Sequence, residues 1–418
     1  MCVTPHLPAP KGVLLDTPVP TRRSLLRFGA AALPAAALGA AFATGLGTSV
    51  AAAADTATAP DTAAAAATTP SGTTLRMPAE TDRHTRTFMA WPALSSVWRS
   101  QLSGVRRDIA NVAYELSRYE PVAVLARPGQ AADARYYCGS GAYYGIEVLE
   151  IPNDDLWIRD FGPTFVVAPG AIAGVDTNFN GWGKRGTSYY QPYANDAAAA
   201  GTLLSQYGIA RVQAPFVGEG GSLETDGQGT LLATESSLVN PNRNPGMTRD
   251  QVEQALKSTL GLDKVIWVPG LAGQDITDCH IDCLARFISP GQVMLDQPGP
   301  GTDPRWVAVY QQTRQALQSA TDAQGRRLTI TELPGPDRNS IRGTGKDFLS
   351  SYTNYYTANG AVLVPQFGDG YADGVAYAIL QAKYPDRTVV QLNIDNIASG
   401  GGGIHCSTQS QPAVPPAG

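Results

Sequence analysis

The sequence predicts an α/β fold, on three observations. Short apolar runs of strand length recur along residues 76–418. Between them lie longer segments whose apolar residues return at the period of a helix face. The two kinds alternate, as mixed-layer folds require. At 43% hydrophobic and 16% charged residues, the chain has the apolar material to bury such a core.

Val105, Ile109, Val112 and Leu116 form a helical stripe within 104–118. Residues 121–125 and 146–151 read as strands, the second running into Asn153-Asp154-Asp155. The glycines of Thr225-Asp226-Gly227-Gln228-Gly229-Thr230 suggest a β-hairpin turn. Thr248 and Gln251 have the spacing of a capping box, opening a helix with Val252, Leu256 and Leu260 on one face. A strand at 265–269, a helix over about 303–320 and a strand at 328–333 follow, then a strand at 362–367, a helix at 373–383 and a strand at 389–394. No internal repeat is countable by eye.

Residues 1–54 read as a twin-arginine signal peptide. Arg22-Arg23 precedes Ser24-Leu25-Leu26-Arg27 and a mildly apolar stretch over 28–50, and Ala52-Ala53-Ala54 offers small residues for cleavage. The alternative is a membrane anchor, but the stretch is rich in Ala and Gly and ends at a cleavage-like site. Residues 55–75 lack apolar bulk and read as a disordered linker. Residues 76–418 then form one catalytic domain. The expectation is a secreted protein with no membrane attachment after cleavage.

The leader carries a net +3, so a chain of total charge −5 leaves −8 for the rest. An acidic chain disfavours nucleic acid as a partner and suits a cationic substrate. Nothing in the sequence specifies an oligomeric state.

Outside the leader stand Cys138, Cys279, Cys283 and Cys406, too sparse for a disulfide scaffold. Export permits a bridge among the first three. Cys279 and Cys283 would not bond each other on one strand, where residues four apart are separated by about 13 Å. The histidines are His84, His280 and His405, besides His6 in the leader. No Cys/His spacing suggests zinc, so neither metal nor cofactor is expected.

Cys406 ends the run Ser399-Gly400-Gly401-Gly402-Gly403-Ile404-His405-Cys406. Four glycines cost conformational entropy and make sense where backbone must approach a ligand. A reactive thiol and a buried structural cysteine both remain open there. His405 is adjacent, but neighbours on a strand point to opposite faces. Cys406 would then need a histidine from elsewhere, and His280 is the candidate. On a strand, Asp278, His280 and Asp282 would share one face, either a site or a solvated polar edge. In Trp157-Ile158-Arg159-Asp160, Trp157 offers an aromatic wall for a cation and Asp160 a partner for planar N–H donors. Arg159-Asp160 alone would read as a structural ion pair. Glu219-Gly220-Gly221-Ser222 suggests tight turns and close backbone approach.

These segments make the resemblance specific. The chain resembles the agmatine deiminase family, which includes the bacterial-type peptidylarginine deiminases. The likeness begins at Met77-Pro78-Ala79-Glu80 and Met89-Ala90-Trp91-Pro92. It continues through Trp157-Ile158-Arg159-Asp160-Phe161-Gly162-Pro163, Phe179-Asn180-Gly181-Trp182-Gly183, Glu219-Gly220-Gly221-Ser222 and Asn240-Pro241-Asn242-Arg243-Asn244-Pro245. His280-Ile281-Asp282, Pro365-Gln366-Phe367-Gly368-Asp369 and the glycine-rich loop through Cys406 to Gln409 complete it. The resemblance implies a five-bladed α/β propeller with pseudo-fivefold symmetry.

It also implies a mechanism. Cys406 as thiolate would attack a guanidinium carbon. Asp160 and Asp282 would hold the guanidinium nitrogens. His280 would protonate the departing ammonia and then activate water against the thiouronium. Glu219 would position His280 and favour its cation, and that cation would depress the Cys406 thiol pKa. No step needs a metal. Asn354, in Ser351-Tyr352-Thr353-Asn354-Tyr355, is a further candidate substrate contact. Trp91, Trp98 and Trp182 could line the site, although aromatic residues more often belong to the core.

The sequence departs from the family pattern at Cys279, where Gly is common, at Cys283, and at Glu224, where His is common. Export is also unusual for agmatine deiminases. The main expectation is hydrolysis of agmatine to N-carbamoylputrescine and ammonia. The second is deimination of peptidyl arginine, which export would suit, with Lys184 and Arg185 of Trp182-Gly183-Lys184-Arg185 as candidate grips for a carboxylate. A non-catalytic binder of guanidines is the remaining alternative. It would be marked by loss of Cys406 or His280, and both are present.

Overall fold

A computed structural model describes residues 74–343 and 345–417. The leader and nearly all of the 55–75 linker lie outside these residues. Leu75, assigned to the linker from sequence, is buried among Val166, Val175 and Leu260, so the packed fold begins one residue earlier than expected. The described residues all fall within one compact unit, and no described helix is long and apolar enough to cross a membrane.

The architecture is mixed α/β, built from five small sheets. Four have three strands each: Thr164–Ala168, Ala171–Asp176 and Ala210–Gln213; Glu224–Thr225, Thr230–Thr234 and Lys264–Val268; Ala285–Ser289, Gln292–Gln297 and Thr329–Pro334; and Tyr356–Ala358, Ala361–Gln366 and Thr388–Asn393. In each the first two strands pair antiparallel and the third pairs parallel to the second. The fifth sheet has the same pattern with the ends of the chain brought together. Gln409–Pro412 pairs antiparallel with His84–Ala90, and Val122–Ala126 and Ile146–Glu150 follow in parallel.

A helix joins the parallel pair in every sheet: Leu102–Leu116, Ala194–Gln206, Arg249–Leu260, Pro304–Ser319 and Gly370–Lys383. A parallel connection needs such a crossover. The chain is therefore five successive modules, a repeat invisible in the sequence because it repeats elements and not residues.

Local chemistry sets the element ends. Thr248 accepts from the Gln251 amide and the Gln251 side chain returns the bond, while Gly261 closes that helix in a left-handed conformation. Asp303 caps a helix with proline in its first turn, and Asp369 accepts from the amides of Tyr371 and Ala372. The expected stripe of Val105, Ile109, Val112 and Leu116 is fully buried.

One expectation fails. Residues 275–282 are not a strand. Asp275 accepts from the amides of Thr277 and Cys279, an aspartate-centred turn that ends extension, and Asp278 and Cys279 take positive φ of 59° and 73°. A short 3-10 turn, Ile281–Cys283, then leads into Ala285–Ser289. The geometry assumed for Asp278, His280 and Asp282, and for the Cys279–Cys283 pair, does not apply.

Candidate active site

Apart from Lys184 and Arg185, each predicted site segment lies just ahead of the first strand of one module. Trp157 and Asp160 precede Thr164–Ala168, Glu219 precedes Glu224–Thr225, and His280 and Asp282 precede Ala285–Ser289. Asn354 precedes Tyr356–Ala358, and Cys406 precedes Gln409–Pro412. Equivalent loops of five modules thus converge, and a cavity of about 570 Å³ opens on them, lined in part by Trp98, Trp157, His280, Asp282, Cys283 and Cys406.

Cys406 is buried in a tight turn, not on a strand. The Ser407 amide bonds the Gly403 carbonyl, and the Thr408 amide bonds that of His405. Its Sγ lies 3.4 Å from Asp282 Oδ2 and 3.1 Å from Asn354 Nδ2, and its amide donates to Asn354 Oδ1 at 3.3 Å. Asn354 also donates to Asp282 at 3.3 Å. The glycine run now has a reason. A Cβ on Gly402 would stand 2.3 Å from the Trp157 ring, and one on Gly403 would stand 2.5 Å from Asn354 Oδ1.

His280 stands between two carboxylates. Its Nε2 is 3.3 Å from Glu219 Oε2 and its Nδ1 is 3.6 Å from Asp160 Oδ1. Burial alone would lower the imidazole pKa, but Asp160 and Glu219 carry it up to about 9, so the ring is cationic at neutral pH. Asp160 is anchored by Trp182 Nε1 at 2.9 Å and the Gly221 amide at 3.1 Å. Burial raises its carboxyl, the His280 cation opposes, and Asp282 and Glu219 add to the rise, leaving it at about 6. A Cβ on Gly221 would stand 2.6 Å from His280 Nδ1 and 2.7 Å from Asp160 Oδ1, so the second glycine of Glu219-Gly220-Gly221 lets the backbone pack against both. Glu219 is held on its far side by Arg243 at 2.8 Å.

Burial works against charge on Asp282, but His405, 2.8 Å away, together with His280 and Arg286, holds the carboxyl well below the usual range. His405 Nε2 in turn meets Glu80 at 2.8 Å, and Glu80 also receives Arg159 and Arg286 at 2.7 Å each. The sequence reading had kept Glu80 only as part of a motif. Arg159 therefore pairs with Glu80 and not with Asp160. Glu224 has its own cation, accepting from Arg286 at 2.7 Å, which accounts for the acid at that position.

Three sequence expectations are corrected. The Cys406 thiol is not depressed in the substrate-free site. The neighbouring Cys283 side chain acts to lower its pKa, but burial and the charges of Asp282 and Asp160 leave it above the usual value. Lys184 is buried with its ammonium 2.7 Å from Asp278, and Arg185 is exposed, so neither contributes to the cavity wall. Asp278 turns away from His280 to hold Lys184 and Arg243. The four cysteines among the described residues are free thiols, and the sulfur beside Cys406 is that of Cys283. Asp282, Cys283 and Cys406 also bring three potential metal-ligand atoms within 4.8 Å of one another, a grouping among the described residues that spacing alone could not reveal. Trp98 packs at 5.9 Å on Trp157 and lines the cavity, whereas Trp91 belongs to the core.

Comparison with known proteins gives the family. The Porphyromonas-type peptidyl-arginine deiminase family matches residues 76–412. The chain belongs to the agmatine deiminase and bacterial-type peptidylarginine deiminase family. The agmatine deiminase of Pseudomonas aeruginosa is 37% identical over 363 residues, covering 82% of this chain and 97% of that one. That of Medicago truncatula is 36% identical over 376 residues, covering 83% and 98%. A solved structure of Enterococcus faecalis agmatine deiminase matches with a TM-score of 0.75 at 34% identity, covering 81% of this chain and 96% of that one. The protein is an enzyme of the guanidino-group-modifying class.

Proposed function

We propose that the protein hydrolyses agmatine to N-carbamoylputrescine and ammonia, with Cys406 as nucleophile. The observation that carries this is Cys406 Sγ lying 3.4 Å from Asp282 in a buried cavity whose histidine is held cationic between Asp160 and Glu219. A guanidinium entering there supplies the positive charge that the carboxylates lack. It offsets Asp160 and Asp282, the groups that keep the thiol protonated, so substrate binding itself favours the thiolate.

The thiolate adds to the guanidinium carbon while Asp160 and Asp282 hold its nitrogens. His280 gives its proton to the departing nitrogen, which leaves as ammonia, and a thiouronium remains on Cys406. Nδ1 suits this step, because its 3.6 Å separation from Asp160 is too long for a strong hydrogen bond. The neutral imidazole then takes a proton from water. The water oxygen bonds to carbon, the C–S bond breaks as the second water proton passes to the released ammonia, and the ureido product and the thiolate are released.

Agmatine is favoured over peptidyl arginine for two reasons. The relatives named above are agmatine deiminases. Lys184, a candidate grip for a carboxylate, is already neutralised by Asp278. The test is ammonia release from agmatine, free arginine and a peptide ending in arginine, with Cys406→Ala as control. Turnover of the peptide alone would transfer the reading to peptidylarginine deimination.

We further infer that the five modules close as a five-bladed propeller around the site. Supporting this are the shared strand pattern, the pairing of the last strand with the first, and the meeting of equivalent loops. Arg22-Arg23 and the apolar stretch after it support export by the twin-arginine route. N-terminal sequencing of the secreted protein would test that assignment.

A further inference from the structure

Cys283 carries a second thiol at the site, and the proposed reaction does not use it. It ends the short turn Ile281–Cys283, is half-buried, and lines the same cavity as Cys406. The two sulfurs lie within 4.8 Å of each other, and the Cys283 thiol donates to Asp282 Oδ1 at 3.4 Å, while the Cys406 sulfur lies 3.4 Å from Oδ2 of the same carboxylate. Asn354 Nδ2 approaches both, at 3.4 Å to Cys283 and 3.1 Å to Cys406. Both sit in turns, where a side-chain rotation moves a sulfur without breaking a strand ladder. A disulfide needs an S–S separation of about 2.05 Å, within reach of modest rotation from this starting point.

We propose that Cys283 and Cys406 form a reversible intramolecular disulfide when the enzyme meets a hydroperoxide, making Cys283 a resolving thiol for the nucleophile. The Cys406 sulfur attacks one oxygen of hydrogen peroxide and gives up its thiol proton, the O–O bond breaks, and Cys406 becomes a sulfenic acid while the departing hydroxide takes that proton and leaves as water. The Cys283 sulfur then attacks the Cys406 sulfur, the S–O bond breaks, and a second water leaves with the Cys283 proton. One peroxide is reduced and two thiols are oxidised to one disulfide. The bond blocks the nucleophile and stops its oxidation short of the irreversible sulfinic acid. Small thiols reopen it by exchange. An active-site thiol meant only to stay reduced gains nothing from a second sulfur at this distance, whereas one exposed to peroxide gains a way back.

The proposal rests on Cys406 being the reactive thiol of the function proposed above, and its test does not need agmatine turnover. The full chain would be exposed briefly to hydrogen peroxide in a buffer containing EDTA, then digested without reductant and analysed by mass spectrometry. The expected result is a linked pair of peptides carrying Cys283 and Cys406, lighter by two hydrogens, that dithiothreitol separates. In parallel, dithiothreitol returns wild-type ammonia release to its untreated level. Cys283→Ser gives no linked pair, accumulates Cys406 with two added oxygens, and does not recover relative to its own untreated rate. Cys138→Ser retains the link. Wild-type Cys406 passing to sulfinic acid with no linked peptide overturns the proposal, as does recovery of Cys283→Ser as complete as that of wild type. If the serine variant does not fold, the wild-type linked peptide still decides. If agmatine is not the substrate, the masses decide alone.

Discussion

Glu219 Oε2 lies 3.3 Å from His280 Nε2, and both side chains are buried. The carboxylate is itself held ionised despite burial, by Arg243 and by His280, so the pair carries its charge away from water. The state of His280 is therefore set by a neighbour that never touches the reacting carbon, which makes Glu219 a positioning residue.

Activity should fall at high pH with a limb near 9, where His280 loses its proton. In Glu219→Gln that limb should move toward neutral pH, which a profile of kcat against pH would show. His280→Asn should lower kcat by about 10²–10⁴-fold, the usual size of a general acid–base contribution. A limb unmoved in Glu219→Gln would refute the role of that carboxylate.

Stability should follow the same group. The folded pKa of His280 is raised above the unfolded value of about 6.5. Its contribution is therefore complete below that unfolded value and disappears as pH rises through about 9. Asp282 has the opposite sign. Its depressed pKa stabilises the fold above the ordinary carboxylate range and is lost as pH falls. Thermal melts from acid to pH 10 should show both losses, and His280→Asn should flatten the alkaline one.

Lys184→Ala should destabilise the protein and leave KM for agmatine near wild type. Breaking a buried ion pair by removing one partner costs about 3–5 kcal/mol, and Asp278 would keep Arg243, Asn242 and the Gly273 amide. Arg185→Ala, at an exposed position, should alter neither. A large rise in KM with an unchanged melting temperature in Lys184→Ala would instead mark that lysine as a substrate contact.

Gly221→Ala should act on catalysis more than on folding, because the new methyl meets His280 Nδ1 at 2.6 Å and Asp160 Oδ1 at 2.7 Å. Gly402→Ala should displace the Trp157 ring, which stands 2.3 Å from the same point. Both variants should retain circular dichroism close to wild type and lose ammonia release.

Much of the local structure was legible. The stripe ending at Leu116 and the capping box at Thr248 are set by neighbours in sequence, and both formed as expected. The shared face that a strand would give Asp278, His280 and Asp282 does not form because Asp275 bonds its own following backbone, a competition that a reading of alternating polarity overlooks. Cys406, His280, Asp160, Asp282, Glu219, Trp157 and even Asn354 were singled out from sequence, and the structure gathers all seven. Glu80 and Cys283 were missed in their present setting, because a carboxylate in a motif and a thiol after one carry no spacing signal for what lies opposite them.

By itself, the sequence determined the residue types of the site, the glycines that let backbone close on them, and the alternation that makes the fold α/β. Only the tertiary structure decided that one five-times-repeated loop position brings these residues together. It also decided that Lys184 pairs with Asp278, that Cys283 lies near Cys406, and that burial, Asp282 and Asp160 raise the Cys406 thiol. The reason is physical. Local patterns follow from short-range sterics and hydrogen bonds, whereas a pKa or an ion pair depends on charges that are distant in sequence and meet only after the core is buried.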